Sequence, residues 1–123
     1  MGELFDWVLE NWKKHHVPFP FSDATDRELD GAIAKVNLKT KELSIDVIAS
    51  MSMAYRLGIR VELFMYYAIS HELGHVLYQQ TDKTSEEEHF AHDYACQDCH
   101  IHLSSFFTEE EFDVLDSIRE KII

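Results

Sequence analysis

Two histidines and a glutamate fall within five residues in His71-Glu72-Leu73-Gly74-His75, inside a long apolar run from about Val61 to Gln80. On a helix of 3.6 residues per turn, side chains at i and i+4 stand one above the other on the same face. Both imidazoles can therefore hold one ion. Glu72 is rotated out of that pair and placed to act on a water bound to the ion. This is the H-E-x-x-H arrangement, with two neutral imidazoles for zinc and a carboxylate as general base. The plainer alternative is a helix that carries two ordinary histidines.

The flanks weigh against that alternative. Tyr66-Tyr67-Ala68-Ile69 and Val76-Leu77-Tyr78 are apolar almost all round, which predicts a buried helix. Ionisable side chains are costly there unless paired or metal-bound. Gly74 also costs roughly 1 kcal/mol relative to alanine inside a helix, and a close approach by another segment would explain it.

A catalytic zinc takes three protein ligands and a water, so a further donor is required. The stretch Thr84-Ser85-Glu86-Glu87-Glu88-His89-Phe90-Ala91-His92-Asp93-Tyr94-Ala95 follows at once. The loop of about Thr81 to Thr84 is short and predicts antiparallel neighbours. At about 1.5 Å per residue, His75 lies roughly 7 Å back from the turn and Glu88 roughly 5 Å forward, at similar depth. His92 falls one turn further on the same face, whereas Glu87 and His89 point about 100° to either side. Glu88 and His92 are both candidates for the third ligand. Ser85-x-x-Glu88 and Thr84-x-x-Glu87 also fit capping boxes, in which the glutamate only closes the helix start.

His71-Glu72-Leu73-Gly74-His75 followed by Glu88-x-x-Ala91 resembles the gluzincin metallopeptidases, whose third zinc ligand is a glutamate on a second helix. The run Glu88-x-x-Ala91-His92-x-Tyr94-Ala95 is similar to that of repressor-cleaving and immunity peptidases, and the compact length and short spacing look most like the minigluzincins. The resemblance covers about 25 of the 123 residues. It implies His71, His75 and Glu88 as ligands of Zn2+ and Glu72 as catalytic base. His92 departs from the family pattern, which has Asp or Asn there to orient a ligand histidine. An imidazole can accept a hydrogen bond in that role, or bind metal itself and close the site.

The elements that must position these groups read as an α+β domain over residues 1–123, mostly helical, with a small β-hairpin or sheet beside the H-E-x-x-H helix and an antiparallel glutamate helix. Leu4, Phe5, Val8, Leu9 and Trp12 form one stripe on a first helix, Glu3 to Lys14. His15-His16-Val17-Pro18-Phe19-Pro20-Phe21 runs extended, and Asp23 to Asp30 forms a short turn capped by Thr25. Ala32, Ala34, Val36 and Leu38, then Leu43, Ile45 and Val47, alternate as two strands of a hairpin. Ser50 to Leu57 reads as a helix with Met51, Met53, Ala54 and Leu57 inward, capped by Gly58. Thr108-x-x-Glu111 opens a last helix carrying Phe112, Leu115 and Ile118.

With 11 Lys plus Arg against 23 Asp plus Glu, the net charge is −12, which speaks against nucleic acid as a partner. No apolar run resembles a membrane span and the start lacks a signal pattern, so a cytoplasmic protein is expected, without membrane partners and compatible with a homodimer. Cys96-Gln-Asp-Cys99-His100 matches the c-type haem attachment string, but it continues the second helix and reads as two small packed thiols; a second metal or redox site with His100 and His102 is the alternative.

The resemblance implies a zinc-dependent endopeptidase acting on a peptide or protein substrate, in which an exposed strand beside the active-site helix pairs with the substrate main chain; the hairpin is the candidate for that cleft edge, or it merely covers the core. His92, Tyr94, His100 and His102 are candidates for the oxyanion donor. In minigluzincins a C-terminal segment can occupy the cleft, which sets a latent enzyme against a simply docked last helix. The second expectation, of another class, is a metal-binding regulatory protein without turnover.

Overall fold

The first apolar stripe folds as α1 (Glu3–Lys13), which buries Val8 and Trp12 completely. The indole of Trp12 reaches a polar partner at depth by donating to Ser70 Oγ at 3.1 Å. This computed structural model describes residues 3–15, 21–24, 34–36, 43–78 and 85–118, and these are mostly helical. The capped turn at 23–30 and the connector from His16 to Pro20 lie largely or wholly outside them.

Three short strands, β1 (Phe21–Ala24), β2 (Ala34–Val36) and β3 (Leu43–Asp46), lie in the order β1-β3-β2. β1 runs parallel to β3 with Phe21 opposite Leu43, and β2 runs antiparallel to it with Val36 opposite Leu43. Residues 37–42, which a hairpin needs for its turn, lie outside the described residues.

The second alternating run stops sooner than its periodicity suggests. Asp46 ends β3 with a backbone φ of −91° and ψ of 105°, and its carboxylate accepts a hydrogen bond from Ala49 N at 3.0 Å. A capped helix, α2 (Val47–Leu57), therefore begins at the residue expected to be the last of the strand. Gly58 closes α2 in the left-handed region at φ 76°, its N–H bonded to the carbonyls of Ala54 and Tyr55. Ser50 and Ala54 are the buried residues of α2, with Leu57 partly buried beside them. That phase turns Met51 about 100° away, to an exposed face with Ile48 and Tyr55, contrary to the inward position expected for it.

α3 (Val61–Tyr78) is the axis of the fold: residues 63–70 are buried without interruption, with α1, α2, β2, β3 and the next helix packed around them. α4 (Ser85–Leu103) lies along it and gives Ala95, Cys96, Cys99 and Leu103 to the same core. α5 (Glu109–Ser117) starts at a reciprocal capping box between Thr108 and Glu111 and buries Phe112 and Leu115. A corner made by Arg60 ties the start of α3 to α5. Its guanidinium meets Glu111 Oε1 at 2.8 Å and Oε2 at 3.2 Å, donates to the Phe106 carbonyl, and lies over the Phe107 ring. No helix among the described residues is long and apolar enough to cross a membrane.

Candidate metal centre

The contacts between α3 and α4 set their direction. His75 meets Glu87 and Glu88, Gly74 meets Ala91, and Tyr67 meets His92, so one chain descends as the other climbs. The helices are therefore antiparallel. Gly74 makes the approach as close as it is, because a Cβ there would stand 2.8 Å from Ala91 Cα and 3.2 Å from its Cβ. That contact accounts for a glycine in mid-helix, and it brings the first turn of α4 against the last turns of α3.

At this junction His71 and His75 stack edge to face with ring centroids 4.8 Å apart. Both Nε2 atoms face Glu88, whose Oε2 is 3.4 Å from His71 and whose Oε1 is 3.3 Å from His75. One donor atom each from His71, Glu72 and His75 also lie within 4.8 Å of one another. Glu72, however, is a chain neighbour of His71, and its Oε1 lies 3.9 Å from Nδ1, the nitrogen that does not face Glu88. Glu88 thus faces both rings from across the helix junction, with Glu72 beside the pair. Burial opposes charge on His71, yet Glu72 and Glu88 outweigh it and lift the imidazole to about 9. The carboxylates draw positive charge to this point, as a divalent cation would supply it. Two imidazoles on one face, a carboxylate from a second helix and a surplus of negative charge fit Zn2+ chemically.

His92 is turned elsewhere. It is 1% exposed, with Nδ1 2.8 Å from the Tyr67 hydroxyl and Nε2 3.3 Å from Cys96 Sγ. Burial raises the Tyr67 phenol and lowers the His92 imidazole, so the hydroxyl stays protonated and the ring neutral. Tyr67 then donates to Nδ1, which leaves the ring proton on Nε2. The Tyr67 ring lies 5.8 Å from that of His71, which makes it a link from His92 towards the paired histidines. Sequence reasoning passed over Tyr67 as part of an apolar flank; its i, i+4 spacing to His71 was the available signal.

The other oxyanion candidates have neighbours of their own. His100 stacks on Phe112 and faces Asp116, while His102 stacks on His15 at 3.8 Å and approaches Asp98 at 3.4 Å. Asp98 in turn accepts from Ser70 Oγ at 2.6 Å. Tyr94 is half-buried, its phenol raised by burial and by Asp98. Both cysteines are free and buried, and burial raises both thiols, which suits packing rather than nucleophilic or haem chemistry.

Glu87 is the residue whose place the helix phase did not foretell. It is 2% exposed, and its Oε1 lies 3.5 Å from His75 Nδ1. No protein-family model, curated protein or solved structure matches the chain.

Proposed function

We propose that the protein is a zinc-dependent endopeptidase of gluzincin type, with His71, His75 and Glu88 as the metal ligands and Glu72 as general base. The observation that carries this reading is Glu88 facing both Nε2 atoms of an i, i+4 histidine pair from across a helix junction. Bound zinc would polarise the scissile carbonyl and acidify a water. In this reading Glu72, buried next to His71, would accept the proton of the attacking water and pass it to the leaving amine. β2 is an outer strand that packs against α3, which supports its edge as the place where an extended substrate main chain pairs. α5 docks on the core through Phe112 and Leu115 and meets α4 around His92, Cys96 and His100, all at or beyond His92 as α4 runs on from Glu88. This favours a docked terminal helix over a latent cleft for the described part of the C-terminal segment.

The test is Glu72→Gln: zinc content should stay at the wild-type level while hydrolysis of casein disappears. Equal cleavage by the variant rejects the base assignment. A second reading, a metal-binding regulatory protein without turnover, is favoured by one observation: Glu72 lies nearest the ring nitrogen of His71 that does not face Glu88. Stoichiometric zinc with no hydrolysis in the wild-type protein would select it.

A further inference from the structure

The geometry points to Glu87 as the positioning residue for His75: its carboxylate accepts a hydrogen bond from Nδ1–H, fixing the tautomer and ring orientation that present Nε2 towards Glu88. The inference rests on the zinc reading above and extends it to a residue that the motif does not contain. Three observations carry it. Glu87 is almost completely buried at the start of α4, an unusual place for a carboxylate that serves only as a first-turn charge. His75 Nδ1 is buried without a hydrogen bond among the described residues, and Glu87 Oε1 is the carboxylate oxygen beside it at 3.5 Å. Glu87 and Glu88, adjacent in sequence, thus take opposite nitrogens of one ring. His92, the expected holder of a ligand histidine, is committed to Tyr67 and Cys96. A carboxylate behind a ligating imidazole raises its basicity, and a cation on Nε2 makes the Nδ1 proton a stronger donor in return.

The experiment measures zinc affinity of the full chain by competition with a chromogenic chelator, for wild type and Glu87→Gln, alongside Ser50→Ala as a comparison for a buried polar contact outside the site, its hydroxyl bonded to the Asp46 carbonyl. Glu87→Gln should bind zinc about 10–100-fold more weakly, and Ser50→Ala within twofold of wild type. Equal affinity in wild type and Glu87→Gln overturns the assignment and leaves the zinc reading standing, whereas a wild type that binds no zinc overturns both. Nitrogen-15 spectra of the zinc-loaded wild type need no variant to fold. His75 should carry its proton on Nδ1 and the metal on Nε2, and the reverse would sink the inference.

Discussion

Two corners of α3 gather charge in opposite ways. Before its first turn, Arg60 meets Glu111 through two parallel contacts and a backbone N–H, so each formal charge has its counterpart within the fold. At its last turns, Glu72, Glu87 and Glu88 surround two imidazoles, and the donor atoms point at one another. The first corner is exposed on the Arg60 side and completes itself. The second is largely buried, and its three carboxylates outnumber the two imidazoles they surround, so negative charge is left over there. In the zinc reading proposed above, a cation would offset that surplus.

The sharpest way to break the comparison is to remove one carboxylate from the second corner. Glu88→Ala should abolish stoichiometric zinc in metal analysis, a larger loss than the about 10–100-fold expected for a supporting residue. His92→Ala should keep its zinc and instead lose about 1–3 kcal/mol of stability in urea unfolding, because the buried Tyr67 hydroxyl is left without its partner. The reverse outcome, zinc lost with His92 alone, would transfer the ligand role and remove the contrast.

Next in size is the approach that assembles the corner. Gly74→Ala gains about 1 kcal/mol of helix propensity but drives a methyl against Ala91 Cα, and overpacking of this kind costs typically about 1–3 kcal/mol. Because the obstructing atom is backbone, the cost should prevail, lowering the urea midpoint by up to about 2 kcal/mol in free energy and weakening zinc binding together. Ala91→Gly should not restore either. A variant more stable than wild type would show that the two helices can separate freely.

The legible parts of this architecture are those set by a single local signal. The caps at Gly58 and at Thr108 with Glu111, the buried run of α3 and the close approach at Gly74 each follow from residue type or spacing alone. The meeting of Glu88 with the histidines follows from helix phase and the few residues of sequence between α3 and α4. The rest needed partners that spacing does not reveal. Val47 looked like a strand residue until the Asp46 carboxylate capped α2 there, and Met51 looked inward until Ser50 and Ala54 fixed the buried face. Glu87 stood one position off the predicted face, yet α4 lies so close to α3 that two adjacent residues reach both sides of His75. His92 had the right spacing for the cluster, but a tyrosine one turn before His71 and a cysteine on its own helix hold both of its nitrogens.

The smallest expected effect belongs to the self-completed corner and shows itself through acid. Hydrogen bonding from Arg60, opposed by burial and aided by the Arg60 and Thr108 backbone, holds the Glu111 carboxyl below its ordinary 4.5, at about 2. A carboxylate depressed in the folded state contributes stability that is full above about 4.5 and is lost as pH falls towards 2. Because Arg60 is half-exposed, that contribution is the about 0.2–1 kcal/mol of a surface pair and not the full value of the shift. Urea midpoints of wild type and Arg60→Ala should therefore differ by no more than this at pH 6, converge as pH approaches 2, and move closer at high salt even at pH 6. A difference that persists unchanged at pH 2 would place the role of Arg60 in its packing over Phe107 and its bond to the Phe106 carbonyl, neither of which titrates.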